Sequence, residues 1–553
     1  MSYEMVAILG YQEVFGEKGD LTAASLINEI PSASIIEVIA NWNSQIHITT
    51  SEWSVQERLL KDISRNFRDE IKHRIMSALM NRKGRPVVIF TTVTSCQFFC
   101  TIFSHYNSAP HRNVTAVDLE NIFRAYLLLS DFWSIKTQKV FKKDSLPPSG
   151  NYEEIWKITI PSWVPYQIEI ERRDFALEFI KAHDFFEFLR QDKEFATIVD
   201  AFLKRCSVQT WQGYITNVFK IYGLIHMKGS NTIPSMFNSK DDETLKVWLI
   251  SLSIDPTTVT DFDDYKEIRE KPLFRFSEND FIVLNINFLL DKLFRGVLFE
   301  LGHLSETNEA FKNFENYKSI ISYNFAENRL FNGIMNEVNK SFPIRYSGNE
   351  LHSRGAEIEP DYYARRYQEL FIFEFKDIVI KRDVKHSYDF DVIEKEVLKK
   401  IVKGDRDQNK GITQLAASIK AMKPDGYGFD HFEAKRIRAY PIIVVTDAFF
   451  NAPAMNTWLN KLFWQQIGDY QVLCHLNDLI IIDLDTLIWH KSLFSTNQLN
   501  LANECQSYYR HKNTIYNKLD SFARYLSDRV DKLDLKANVD TEFSEKVRAL
   551  GLP

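Results

Sequence analysis

The run Leu370-Phe371-Ile372-Phe373-Glu374-Phe375-Lys376 constrains the fold of this 553-residue chain more than any other segment. Aromatic and branched apolar residues suit a pleated, buried surface, so the run reads as a central β-strand. The two-residue period of a strand puts Phe371, Phe373 and Phe375 on one face and Ile372, Glu374 and Lys376 on the other. The phenylalanine face needs a core. The opposite face then carries a carboxylate and an ammonium side by side in an otherwise apolar strand.

The segment before this strand adds a second carboxylate. PDYYA (360–364) is strand-like, and ARRYQE (364–369) is polar enough to turn. A hairpin centred between Tyr367 and Gln368 sets Asp361 directly across from Glu374, because the two are equidistant from that centre. Cross-strand partners approach within ~5 Å at Cβ. Two carboxylates that close repel and raise each other's pKa unless a cation sits between them. Magnesium fits that gap as a hard ion that takes carboxylate oxygens and keeps several waters, with manganese as a substitute. Lys376, on the same face, can position or deprotonate an attacking water, or stabilise charge growing on a phosphate. These are the parts that phosphodiester hydrolysis requires.

Glu359-Pro360-Asp361, twelve intervening residues and then Glu374-Phe375-Lys376 resemble the PD-(D/E)xK motif of the restriction-endonuclease-like nuclease superfamily. The resemblance implies that Asp361 and Glu374 are metal ligands, that Lys376 is the catalytic lysine, and that a mixed sheet is flanked by helices. In that superfamily the helix before the hairpin often adds a glutamate. Here FAENRLFNGIMNEVNKSF (325–342) reads as helical, and Glu327 shares a stripe with Phe331, Ile334 and Val338. A glutamate on a core-facing stripe is unusual unless it is paired or binds metal. The plainer reading is a glutamate favoured by a helix N-terminus. Many members follow the motif strand with a helix bearing a glutamine, then another strand. KGITQLAASIKAM (410–422) supplies Gln414 and AYPIIVVTDAFF (439–450) the strand. A charged insertion, residues 377–410, separates the motif strand from the glutamine helix and departs from the pattern. Within it Lys395, Lys399 and Lys403 recur every four residues, as a phosphate rail or a solvated helix face.

The length implies roughly two to four domains. A net charge of −6 gives no overall attraction to nucleic acid, so any such contact needs a local basic surface. Five scattered cysteines make no disulfide framework, and Cys96 and Cys100 in an apolar run read as core thiols. Glu4 and the lack of an early basic residue do not read as a signal peptide, and no apolar run is long enough to span a membrane. The expected location is cytoplasmic, without a membrane partner. GYQEVFGEKGD (10–20) lacks the Gly-Lys-Ser/Thr order of a phosphate loop. Asp483 and Asp485 read as a strand end, and His475 as structural.

Four segments are expected: an α+β region over 1–145, a mainly helical regulatory or recognition region over 151–300, an α/β nuclease region over 301–495 and a helical tail over 500–553. DSLPPSGNYEE (144–154) is the expected break after the first of these. The region before residue 300 offers no ligand-spaced cluster, so no metal or nucleotide site is expected there. DNA is the substrate that the resemblance favours, with RNA open; a partner protein or a second copy of the chain would engage the remaining regions. A nuclease joined to a large unfamiliar region fits prokaryotic defence against foreign DNA. The rival reading is a catalytically silent scaffold of nuclease fold that binds nucleic acid or a partner protein.

Overall fold

The aromatic run folds as the strand the period predicts, β3 (Glu369–Lys376), paired antiparallel to β2 (Tyr362–Arg366). The computed structural model describes residues 7–46, 53–82, 87–142, 154–164, 173–226, 236–239, 242–258, 265–306, 311–404, 408–512, 517–536 and 539–551. The two-residue turn is Tyr367-Gln368, and Tyr362 pairs with Phe373, so the register is the expected one. Tyr367 has φ +54°, a left-handed conformation that costs a bulky side chain. It is tolerated because the ring lies exposed, with the Arg366 guanidinium over it. A β-branched residue suffers more there, so Tyr367→Val lowers stability by about 1–2 kcal/mol and Tyr367→Gly does not, as chemical denaturation will measure.

β1 (Ile344–Ser347) extends the hairpin beyond β2, again antiparallel. On the other side β4 (Arg438–Val445) runs parallel to β3 over its whole length, and β5 (His475–Leu476) and β6 (Ile480–Asp483) run parallel to β4. Among the described residues this is a mixed, six-stranded sheet. β3 is therefore interior, and both of its faces are covered. Phe371 stacks on Tyr440 at 4.6 Å and Phe375 on Phe331 at 4.8 Å. On the other face Leu370 and Ile372 pack with Ile412, Leu415 and Ile419 of the Gly411–Lys420 helix. The sequence suggests a core for the phenylalanine face alone. The glutamine helix, with its own apolar stripe, covers the second face and leaves only the C-terminal end of β3 polar.

Residues 378–402 of the charged insertion contribute to this core. Phe390, Ile393, Val397 and Ile401 are buried beneath its Phe390–Val397 helix and the following π-helical turn, Leu398–Val402. A buried ion pair fixes it to the end of β4, with Lys385 Nζ 3.0 Å from Asp447 Oδ2. Asp483 ends β6 and caps the Leu484–Ser495 helix, accepting from the Thr486 amide at 2.9 Å, so it marks a strand end as expected.

The chain divides into two compact units, one of residues 1–3, 139–167 and 313–548, the other of 4–138, 168–312 and 549–553. These fall differently from the four expected segments. The Trp156–Trp163 helix packs Trp156 and Ile160 into the core around Trp458 and Phe390, which draws residues 139–167 into the first unit. The break expected at DSLPPSGNYEE lies, but for Glu154, outside the described residues. The second unit is mainly helical, with a parallel pair (Ala7–Ile8, Val87–Val88) and a three-stranded antiparallel sheet around Asp280–Val283. Cys96 and Cys100 are buried on its Thr92–Ser104 helix. GYQEVFGEKGD forms a short helix, Tyr11–Phe15. No helix among the described residues is long and apolar enough to cross a membrane. The architecture is mixed α/β.

Candidate active site

The polar end of β3 gathers three of the expected residues at one point. Lys376 Nζ lies 2.9 Å from Glu374 Oε2 and 3.3 Å from Asp361 Oδ2. The shared face of residues 374 and 376 follows from the strand period. Asp361 arrives from the first residue before β2, where the hairpin register sets it opposite Glu374. Its Oδ2 also accepts the Phe375 amide at 2.6 Å, which fixes its position against β3.

Glu374 is only 1% exposed. Burial, and then the neighbouring Asp361 carboxylate, push its pKa well above the usual carboxylate range against the pull of Lys376. Burial draws the Lys376 ammonium down, but Glu374 and Asp361 outweigh it and hold it above the ordinary lysine range. The trio is thus a strained balance, with one ammonium neutralising one of two crowded carboxylates.

Glu327 adds a third. It lies within a π-helical stretch, Ser322–Phe331, that runs directly into the Asn332–Val338 helix. Phe331, Ile334 and Val338 are buried on the stripe the sequence suggests. Burial, then Asp361, raise the Glu327 pKa to about 7, with Lys376 opposing. The π-helix, a wide-turn form frequent at functional sites, is not encoded in any apolar spacing. Glu327 and Lys376 line a common cleft with Ser322, Lys399, Lys400 and Lys410. Asp361 and Glu374 are not among the lining residues, and their contacts with Lys376 link them to the cleft.

Gln414 stands one turn into the Gly411–Lys420 helix, whose Gly411 lies so close to Lys376 that a Cβ there would sit 3.5 Å from its Cε. The Gln414 Oε1 atom is buried without a hydrogen-bond partner, and its side chain is not among those lining the cleft. Of the five expected residues, Asp361, Glu374 and Lys376 are in contact, Glu327 shares the cleft with Lys376 and the electrostatics of the trio, and Gln414 makes no hydrogen bond to any of them through its buried Oε1.

Set against family models, curated proteins and solved structures, the chain matches none. Its chemistry therefore rests on its own geometry.

A second grouping escapes the sequence reading. His183, Asp184 and Glu187 of the Phe175–Gln191 helix bring one ligand atom each within 4.8 Å of the others, a set that could hold a metal ion. Its spacing matches no metal motif, and nothing in the sequence singles it out from an ordinary helix face. His183 Nδ1 is 3.4 Å from Asp184 and 3.9 Å from Glu187, with Trp211 against the imidazole edge-on. The expectation of no metal-ligand cluster before residue 300 is corrected to this extent.

The carboxylates give a signed prediction for the metal-free protein. Glu327 has a folded pKa of about 7 against an ordinary 4.5, so its neutral form favours the fold. That stabilisation is complete below about pH 4.5 and is lost as pH rises through 7. Glu374, raised for the same reason, acts in the same direction. Thermal melts in EDTA should fall between these pH values, and Glu327→Gln should flatten the fall. An unchanged pH profile in that variant contradicts the electrostatic account.

Proposed function

We propose that this chain is a magnesium-dependent nuclease of the PD-(D/E)xK type that hydrolyses phosphodiester bonds in DNA. The observation that carries the reading is the one Lys376 ammonium shared by Asp361 and Glu374, at 3.3 and 2.9 Å, at the wall of a cleft that Glu327 also lines. A purely structural ion pair has no need of a second and third carboxylate that repel its own.

The donor set fits the ion. Asp361, Glu374 and Glu327 offer only carboxylate oxygens, with no thiolate or imidazole, which suits a hard cation. Ionised together around a bound cation, three carboxylates against one ammonium would carry a double negative charge, the complement of a divalent ion. When bound, magnesium would polarise a phosphate oxygen and make water a stronger nucleophile. Asp361 and Glu374 would hold it from the two strands, and Glu327 from the π-helix. Lys376, a charged donor facing the cleft, would stabilise the negative charge that grows on the phosphate. The closed apolar faces of β3 keep these groups on a rigid element, so they need little rearrangement to act.

The test is incubation of purified protein with plasmid DNA, a linear duplex and single-stranded RNA, each in magnesium, manganese or EDTA. DNA should be cut with either metal and left intact in EDTA. Nucleic acid bound but never cut would replace this reading with the silent scaffold.

A further inference from the structure

We infer that Lys400 and Lys410, with Lys399 beside them, form a phosphate-binding wall that holds the nucleic-acid strand against Lys376. The inference rests on the nuclease reading of the cleft and names the residues that admit its substrate. A centre built from Asp361, Glu374 and Glu327 repels a polyanion, and the chain as a whole, at −6, offers no attraction. The cleft must supply its own positive charge. The insertion does so, because Lys399, Lys400 and Lys410 line the same cavity as Glu327 and Lys376. Asp377, an acid on the same lining, is engaged by the Thr446 hydroxyl at 2.8 Å.

The local fold explains why these lysines face inward. The four-residue recurrence of Lys395, Lys399 and Lys403 would make one continuous stripe on a regular helix. The π-helical turn at Leu398–Val402 breaks that phase, so Lys399 and Lys400 line the cleft while Lys395 and Lys403 do not. Lys410 is held against Val402 and Gly404. Its amide donates to the Val402 carbonyl at 3.0 Å, and its stem crosses Gly404 so closely that a Cβ there would lie 2.7 Å from Lys410 Cε. The ligand is a phosphodiester chain, contacted through its backbone charge and not its base sequence.

Fluorescence anisotropy in EDTA, with a labelled DNA duplex, a DNA single strand and an RNA single strand over a range of salt, tests this. For a duplex, the double variant K400A/K410A should lower the slope of log affinity against log salt by about 2 and weaken binding roughly tenfold or more at 0.1 M salt. The control K395A/K403A removes the same charge from the same insertion and should leave the slope near that of wild type. K400Q/K410Q, with melting curves for all variants, separates lost contacts from lost folding. An unchanged slope in the folded cleft variants, an equal loss in the control, or no binding of any probe by wild type overturns the inference. Tighter RNA binding with the same lysine dependence keeps the wall and moves the substrate to RNA. Normal binding that depends on Lys400 and Lys410, with no cleavage in magnesium, leaves the wall standing and removes the nuclease reading.

Discussion

Glu374→Gln should lose magnesium-dependent cleavage by about a thousandfold or more, and the metal-free variant should melt at least as high as wild type at pH 8. The two effects have one cause. Glu374 is buried beside Asp361, and as a carboxylate it is held against both desolvation and like-charge repulsion. An isosteric amide removes that repulsion and still accepts from Lys376, so the fold gains. The same change removes a ligand charge from the proposed divalent-ion site, and a Lewis acid contributes several kcal/mol to phosphoryl transfer, each ~1.4 kcal/mol being tenfold in rate. Asp361→Asn should lose activity similarly, but with less gain in stability, because Asp361 is the more exposed of the pair and already accepts the Phe375 amide. Initial cleavage rates and thermal melts in EDTA measure the two sides. A variant that both cuts and melts like wild type contradicts the assignment.

Lys376→Ala should reduce cleavage on the order of a hundredfold or more while the protein stays folded, retains magnesium and binds DNA. Lysine is not a magnesium ligand, so the proposed ligands Asp361, Glu374 and Glu327 would remain to hold the ion. Removal of the ammonium leaves Glu374 and Asp361 without their shared partner, so the metal-free variant should be less stable than wild type, and added magnesium should recover more of the loss than it adds to wild type. Affinity for DNA should fall by about one phosphate contact, seen as a reduction near 1 in the salt slope. Cleavage rates, metal-dependent melts and a binding titration at several salt concentrations separate these outcomes. Wild-type cleavage by Lys376→Ala would remove the lysine from the chemistry.

The hairpin and the meeting of its charged residues were legible because they depend on local rules. A period of two and a turn midway between residues 361 and 374 are enough to bring Asp361, Glu374 and Lys376 together, and β2 and β3 pair in that register. Glu327 was legible as a polar break in an apolar stripe. What local rules miss is set by tertiary packing. The cover on the second face of β3 comes from a helix some forty residues later, and a strand cannot announce that it is interior. The π-helical turns at Ser322–Phe331 and Leu398–Val402 alter the phase on which helical-face arguments rest, so of the lysines that recur every four residues only Lys399 lines the cleft, beside Lys400 and Lys410, which stand outside that recurrence. The Trp156–Trp163 helix joins a core built mostly of residues beyond 313, a pairing across long sequence separation that composition does not encode. His183, Asp184 and Glu187 meet through one helical turn without any motif to mark them.

Among the described residues, His183, Asp184 and Glu187 are the grouping with metal-ligand spacing, while the proposed chemistry falls to Asp361, Glu374 and Glu327 around Lys376. Magnesium-dependent cleavage of a labelled DNA duplex, measured side by side for wild type, Glu374→Gln and His183→Ala, decides between them. His183→Ala should cut at the wild-type rate while Glu374→Gln is silent. Cleavage that survives in Glu374→Gln and disappears in His183→Ala would contradict this assignment.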